Sequence, residues 1–93
     1  MRITLTCQDK HEAAKLASLI YIRDGKETFI SAIINVFDNE LVIALKDKSA
    51  HSIVLKDNHE VEKFADFIQP VLDQGHKILD TKAAGETVEI ERD

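Results

Sequence analysis

Residues 28–56 read TFISAIINVF-DNE-LVIALK-DKSA-HSIVLK, and this stretch decides the fold. Three runs rich in Val, Ile and Phe are separated by the short segments DNE and DKSA. Apolar runs of this length are typical of β-strands, and Asp, Asn and Ser between them are typical of tight turns. The stretch therefore predicts a three-stranded antiparallel meander.

Residues 2–8 precede the meander and alternate between apolar and polar side chains. This pattern predicts a half-buried strand. Cys7 falls on its apolar side, where a free cysteine behaves as a small hydrophobic residue, so we expect a core position. A nucleophilic Cys7 is the weaker alternative. A reactive thiolate needs a cationic neighbour or a helix N-terminus, and a predicted helix start follows closely. A single cysteine also excludes an internal disulfide, and we expect a cytoplasmic protein.

The segment after this strand has the pattern of a capped helix. Asp9 and Glu12 form a capping box, in which the Asp side chain accepts a hydrogen bond from the N–H three residues later. Apolar residues at helical spacing follow, and we predict a helix over residues 10–23. The segment LIYIR-DG-KETFI (19–30 with Asp24 and Gly25 at its turn) also fits a β-hairpin, and this alternative stays open.

A second capping box opens at Asp57 and leads into another apolar helical stripe. Pro70 lies inside this stripe, yet Ile78 and Leu79 keep helical spacing beyond it. We therefore predict a kink at Pro70 or two short helices that meet there. Residues 81–93 are expected to be a loop followed by an edge strand or a frayed tail.

Residues 8–20 (QDKHEAAKLASLI) align without gaps with residues 56–68 (KDNHEVEKFADFI). Asp, His, Glu, Lys, Ala and Ile recur at matching positions, and each copy follows a predicted strand. Repetition of this kind is typical of a duplicated unit. Two capped amphipathic helices of independent origin would also share the Asp and Glu positions. The sequence leaves both explanations open, and either places the two helices on one face of the sheet.

Together these patterns predict one domain over residues 1–93 of the α+β class. The expected architecture is a two-layer sandwich, with a mainly antiparallel sheet of four to five strands and two helices on one face. Its element order is β-α-β-β-β-α-β. A chain of this length buries only about two-thirds of its unfolded surface, which favours a marginal or an oligomeric core.

Composition narrows the classes of function. Apolar residues make up 44% of the chain and charged residues 31%, which is ordinary for a globular domain. Seventeen acidic and twelve basic residues give a net charge of −5, so nucleic acid and anionic membrane surfaces are not expected partners. No apolar run reaches the length of a membrane helix, and no signal-peptide core is present.

Candidate chemistry is sparse in this sequence. The four histidines, at positions 11, 51, 59 and 76, do not stand at metal-ligand spacing, although His11-Glu12 and His59-Glu60 occupy equivalent helix starts. Three isolated glycines supply no phosphate-binding loop, and no nucleophile elbow occurs. We expect no catalytic residue, cofactor or metal.

The predicted strands over residues 28–37 and 41–46 are apolar on both sides, whereas two helices cover only one side of a sheet. We therefore expect a non-enzymatic binding or regulatory protein that forms a homodimer, or binds a protein partner, through the remaining apolar face. The expected interface residues are Ile30, Ala32, Ile34, Val36, Val42 and Ala44.

Two further hypotheses stay open. One is a small-ligand-binding protein or enzyme, in which the same sheet face and the kinked second helix enclose a pocket with His51, His76 or Cys7 as its polar groups. The other is a small acidic inhibitor of a nucleic-acid-binding protein, which requires acidic residues gathered on one face.

Overall fold

The computed structural model describes residues 1–20 and 30–93. Within them the chain forms six strands and two helices, and the predicted α+β class is confirmed. The elements are β1 (Arg2–Thr6), α1 (Lys10–Leu19), β2 (Ile30–Phe37), β3 (Glu40–Leu45), β4 (Ala50–Val54), α2 (Asn58–Asp73), β5 (Ile78–Ala84) and β6 (Thr87–Arg92). The predicted element order therefore lacked one strand.

The strands form two antiparallel sheets of three strands each. The first sheet has the order β2-β3-β4, which is the meander predicted from residues 28–56. The second sheet has the order β1-β6-β5. The prediction of a single sheet of four to five strands is wrong, because β1 pairs with the C-terminal hairpin rather than with the meander.

The two sheets meet where β1 and β4 end. Cys7 and Leu55 form an antiparallel bridge there. The Gln8 N–H donates to the Val54 carbonyl (3.1 Å), and the Lys56 N–H donates to the Thr6 carbonyl (3.0 Å). Buried residues of both helices and both sheets belong to one hydrophobic core. We call the side of each sheet that faces this core its inner face, and the opposite side its outer face.

Both predicted helix starts have the expected N-cap residue, Asp9 and Asp57. The Asp9 carboxylate accepts from the Glu12 N–H (3.0 Å), and the Asp57 carboxylate accepts from the Glu60 N–H (3.1 Å). Helix α1 is described over Lys10–Leu19. The rest of the predicted helix over residues 21–23 and the alternative Asp24-Gly25 hairpin lie outside the described residues.

Helix α2 is one element of sixteen residues that contains Pro70 rather than two short helices. Its end is set by the Pro70 carbonyl, which accepts from the N–H groups of Gln74 (3.0 Å) and His76 (3.2 Å), and by Gly75 at φ +75°. A positive φ favours glycine and stops a helix. The helical spacing of Ile78 and Leu79 is therefore a coincidence, because both residues belong to β5.

Residues 86–92 are neither an edge strand nor a frayed tail. Strand β6 occupies the middle of the second sheet, between β1 and β5. Val88 and Ile90 are fully buried on its inner face. The charged residues that alternate with them suggested an edge strand, but they lie on the outer face instead.

The chain consists of two corresponding β-α-β-β units, β1-α1-β2-β3 and β4-α2-β5-β6. The cross-strand pairs match between them: Leu5 pairs with Val88 as Ile53 pairs with Leu41. An irregularity in strand pairing follows Ile30 in β2 and Ile78 in β5, 48 positions later. Capping chemistry does not require these features, so they favour duplication over convergence.

The two units interlock rather than stand side by side. Helix α1 packs against β4, β5 and β6 of the second unit, and α2 packs against β1, β2 and β3 of the first. Strand pairing also joins the two units. Strand β1 of the first unit pairs with β6 of the second, and β4 of the second unit pairs with β3 of the first. Each unit therefore completes the core of the other.

Candidate interaction surface

The outer face of the first sheet carries three cross-strand rows of side chains. These rows are Ala32–Ala44–Ala50, Ile34–Val42–Ser52 and Phe37–Glu40–Val54. All of these residues except Ser52 and Glu40 are apolar. The side chains of Ile34 and Phe37 are 57% and 65% exposed. We call these three rows the outer apolar face.

Strand periodicity places these side chains on the outer face. Successive residues of a strand point to opposite sides, so Leu41 and Ile43 enter the core while Val42 and Ala44 point away from it. In β4, Ile53 is fully buried between the outward-facing Ser52 and Val54. The alternation predicted for β3 is present, and both of its sides are apolar.

Two bulges in β2 change which side chains are outside. Ser31 and Val36 are each an extra residue relative to β3, because Ile30 pairs with Leu45 and Ala32 with Ala44, whereas Asn35 pairs with Leu41 and Phe37 with Glu40. Ile30 is therefore in the core, at 1% exposure, and its predicted interface position is wrong. Strict alternation counted back from Ile34 would place Ile30 on the outer face. The extra residue Ser31 reverses the alternation, so Ile30 points into the core.

Of the other residues predicted for an interface, Ala32, Ile34, Val42 and Ala44 share the outer apolar face. Val36 is 44% exposed at the second bulge. Their role as an interface stays a prediction. Sequence reasoning missed Phe37, Ala50 and Val54. Alternation within β4 was the available signal for the last two, whereas the bulge at Val36 concealed Phe37.

The outer face of the second sheet has the same layout and the opposite chemistry. Its rows are Asp80–Glu91–Arg2, Lys82–Glu89–Thr4 and Ala84–Thr87–Thr6. The Arg2 guanidinium contacts the carboxylates of Glu89 (2.8 Å) and Glu91 (2.9 Å). The hydrogen bond and charge of Glu91, with the charge of Glu89, raise the pKa of Arg2. This face is charged, and Arg2 pairs with two of its carboxylates.

The two outer faces can be compared position by position. Ile34 in β2 corresponds to Lys82 in β5. Ile34 pairs with Val42 on the neighbouring strand, and Lys82 pairs with Glu89 in the same way. Similarly, Ala44 corresponds to Glu91. The second sheet therefore has the same strand pairing with charged side chains at these positions. Folding of such a sheet does not require apolar residues there, so their presence in the first sheet calls for another explanation.

The polar groups named for a ligand pocket have separate surroundings. Burial raises the pKa of the Cys7 thiol to about 11, with further contributions from Glu12, Glu60 and Asp9. At 1% exposure Cys7 is a core residue, as predicted. His51 Nε2 lies 3.0 Å from the Ser49 hydroxyl. His76 Nδ1 lies 3.1 Å from an Arg92 guanidinium nitrogen, near the chain ends. The three groups thus contact different partners.

The two helix starts have no metal-binding arrangement. Glu12 contacts Lys15 (3.0 Å) and Glu60 contacts Lys63 (2.8 Å), so each carboxylate already faces a cation one turn along its helix. Across residues 1–20 and 30–93, no three His, Cys, Asp or Glu side chains form a group that could hold a metal ion.

Acidic side chains are mixed with basic ones on the surfaces described. Glu89 and Glu91 are paired with Arg2 on the second sheet. On α2, Glu62 accepts from Asn58 (3.2 Å), and Lys63 follows it directly. This distribution gives no support to an inhibitor that imitates nucleic acid.

Comparisons with known protein families, with curated proteins and with solved structures found no match for this chain. Neither described helix has the length and apolarity that a membrane span requires. The surface itself is therefore the basis for any functional conclusion.

Proposed function

We propose that this protein is a non-enzymatic binding or regulatory module that acts through protein–protein contacts and self-associates through the outer apolar face. The contrast between the two sheets carries the proposal. Equivalent outward positions hold Ile34 and Val42 in one sheet, and Lys82 and Glu89 in the other. Natural sequences place charges on exposed sheet faces where water covers them, and apolar residues where protein does.

A second copy of the chain is the proposed occupant, in a two-fold dimer. Homodimers with this symmetry are the commonest oligomers, and they use the same patch on both subunits. The buried free thiol of Cys7 fits a reducing compartment, and we place the protein in the cytoplasm as part of this proposal.

The test copies the residues of the second sheet into the first. In Ile34→Lys and Val42→Glu variants, the outer apolar face receives the side chains that the equivalent positions already carry. Sedimentation equilibrium at 10 μM to 1 mM is expected to show self-association of the wild type and a monomer for the double variant. This range brackets the dissociation constant of a weak dimer, which corresponds to a free energy of association of roughly −4 to −7 kcal/mol.

Two controls make the result specific. The variant Thr4→Lys introduces a charge on the outer face of the second sheet and is expected to leave self-association unchanged. Thermal unfolding should place the double variant within about 1 kcal/mol of the wild-type monomer, as is usual for exposed positions. A wild type that stays monomeric up to 1 mM contradicts the proposal.

A further inference from the structure

A single short turn connects the two interlocked units. The first unit ends with β3 at Leu45, the second begins with β4 at Ala50, and residues 46–49 join them. The core, by contrast, is built across the units, because α1 packs on β4, β5 and β6 and α2 packs on β1, β2 and β3. The contacts that complete each unit therefore come from a segment to which it is joined at one place only.

The backbone of this turn is strained at Lys48. Its φ is +73°, and it is the one non-glycine residue with a positive φ in the part of the chain that the structure describes. Side chains disfavour this left-handed region, whereas glycine adopts it freely. Hydrogen bonds hold the turn closed. The Lys48 N–H donates to the Leu45 carbonyl (3.0 Å), and the Asp47 carboxylate accepts from the N–H and the hydroxyl of Ser49.

We infer that residues 46–49 are a hinge and that two copies of the chain exchange units when this turn opens. In the exchanged dimer, the first unit of each copy packs with the second unit of the other. The contacts between units are those already present within one chain, so the second copy needs no new surface. The backbone changes at the hinge, from a turn to an extended connection between two lobes. This inference is independent of the outer apolar face and goes beyond the proposed function.

Exchange competes with closure of the turn within one chain. Two units joined by a short connection have an effective concentration on the order of 1 mM, so a second copy competes only at similar concentrations. Relief of strain at Lys48 occurs twice in each dimer and favours exchange, whereas the lost hydrogen bonds of the turn oppose it. Exchange also requires the shared core to separate, because each helix lies on strands of the other unit. We therefore expect exchanged dimers to form when the unfolded chain is refolded at high concentration.

Two substitutions at Lys48 shift this balance in opposite directions. Proline fixes φ at about −65° and has no N–H, so Lys48→Pro prevents the closed turn but is compatible with an extended connection. Glycine adopts a positive φ without strain, so Lys48→Gly stabilises the closed turn. Both variants and the parent chain also carry Ile34→Lys and Val42→Glu, which remove association through the outer apolar face.

The three chains are refolded from urea over a range of concentrations up to about 1 mM, where exchange competes with closure. Sedimentation velocity is expected to show a dimer for Lys48→Pro, with the far-ultraviolet circular dichroism per residue of the parent chain. Lys48→Gly should raise the concentration at which dimers appear by about tenfold or more relative to the parent chain, because strain at two turns is removed from the monomers.

A second experiment detects exchange without altering the hinge. Leu5 in the first unit and Ile53 at the equivalent position of the second are fully buried, so Leu5→Asp and Ile53→Asp are each expected to unfold the chain. In a mixture, the intact second unit of the Leu5→Asp chain packs with the intact first unit of the Ile53→Asp chain. Circular dichroism should then show partial recovery of the folded signal, because one lobe of each mixed dimer is intact. A chain with both substitutions has no intact unit, and mixing it with either variant should restore nothing.

The outcomes decide unit exchange separately from the proposed function. A folded Lys48→Pro monomer overturns the inference, and so does a mixture of Leu5→Asp and Ile53→Asp that stays unfolded. If Lys48→Pro does not fold, the mixture decides. None of these results affects the proposed dimer through the outer apolar face, which the variants at Ile34 and Val42 test in the native protein. A Lys48→Pro dimer together with recovery in the mixture supports exchange.

Discussion

Cys7 and Leu55 pair across the junction of the two sheets, and each is the residue that follows the first strand of its unit. They are therefore equivalent positions in contact with each other, on an axis that relates the two halves of the chain. The hydrogen bonds from Gln8 to Val54 and from Lys56 to Thr6 flank this bridge in equivalent pairs. The core is thus shared between two units that interlock.

A chain cut between Lys48 and Ser49 tests this interlocking. Because each helix packs on strands of the other unit, we expect fragments 1–48 and 49–93 to be unfolded separately at low micromolar concentration and to fold when mixed. Far-ultraviolet circular dichroism of each fragment and of the mixture measures this. Native-like spectra from fragment 1–48 alone would contradict the arrangement.

Because the Cys7 thiol is buried, we expect the free energy of unfolding to fall as the pH rises above 9. Its folded-state pKa is raised from 9.0 to about 11, so between these values the unfolded chain loses the proton and the folded chain keeps it. The contribution of this raised pKa to the free energy of unfolding is complete below pH 9. It falls by roughly 2 kcal/mol as the pH rises from 9 to 11. Chemical unfolding of wild type and Cys7→Ala from pH 8 to 11 isolates this effect, and parallel profiles would refute it.

The two helix caps are expected to make similar contributions to the free energy of unfolding. Asp9→Ala and Asp57→Ala each remove an acceptor for a first-turn N–H and should lower the free energy of unfolding by about 1 kcal/mol. Asparagine keeps the acceptor oxygen, so Asp9→Asn and Asp57→Asn are matched controls with much smaller losses. Urea denaturation compares the four variants. An equal loss for alanine and asparagine would mean that charge, not the cap, is responsible.

Ile30 and Ile34 separate the two sides of β2. Ile30→Ala removes a core side chain and should cost about 2–5 kcal/mol of folding free energy. Ile34→Ala changes an exposed residue, so the monomer should lose less than about 0.5 kcal/mol. Unfolding at low micromolar concentration, below the range of the proposed self-association, measures both. Similar losses at the two positions would contradict the bulge at Ser31.

Much of the local structure could be predicted because its causes are local. The capping boxes at Asp9 and Asp57, the meander and the core position of Cys7 each follow from neighbouring residues. The error at Ile78 and Leu79 has the same origin, since an apolar pair fits a helix or a strand until Gly75 ends the helix. Among the residues predicted for an interface, Ala32, Ile34, Val42 and Ala44 share one outward face, but Ile30 lies in the core, because a bulge shifts the phase of alternation without a distinctive sequence.

The sequence by itself determined where both helices begin and which residues cap them, the positions of β1 and the meander, and that the central strands are apolar on both sides. These properties depend on side-chain periodicity and hydrogen-bonding groups within a few residues of each other. Only the tertiary structure decided that β6 lies beside β1, that two interlocked units share one core, and that Ile34 and Lys82 are equivalent. Such pairings join residues far apart in the chain, and their stability depends on the whole core rather than on any one segment.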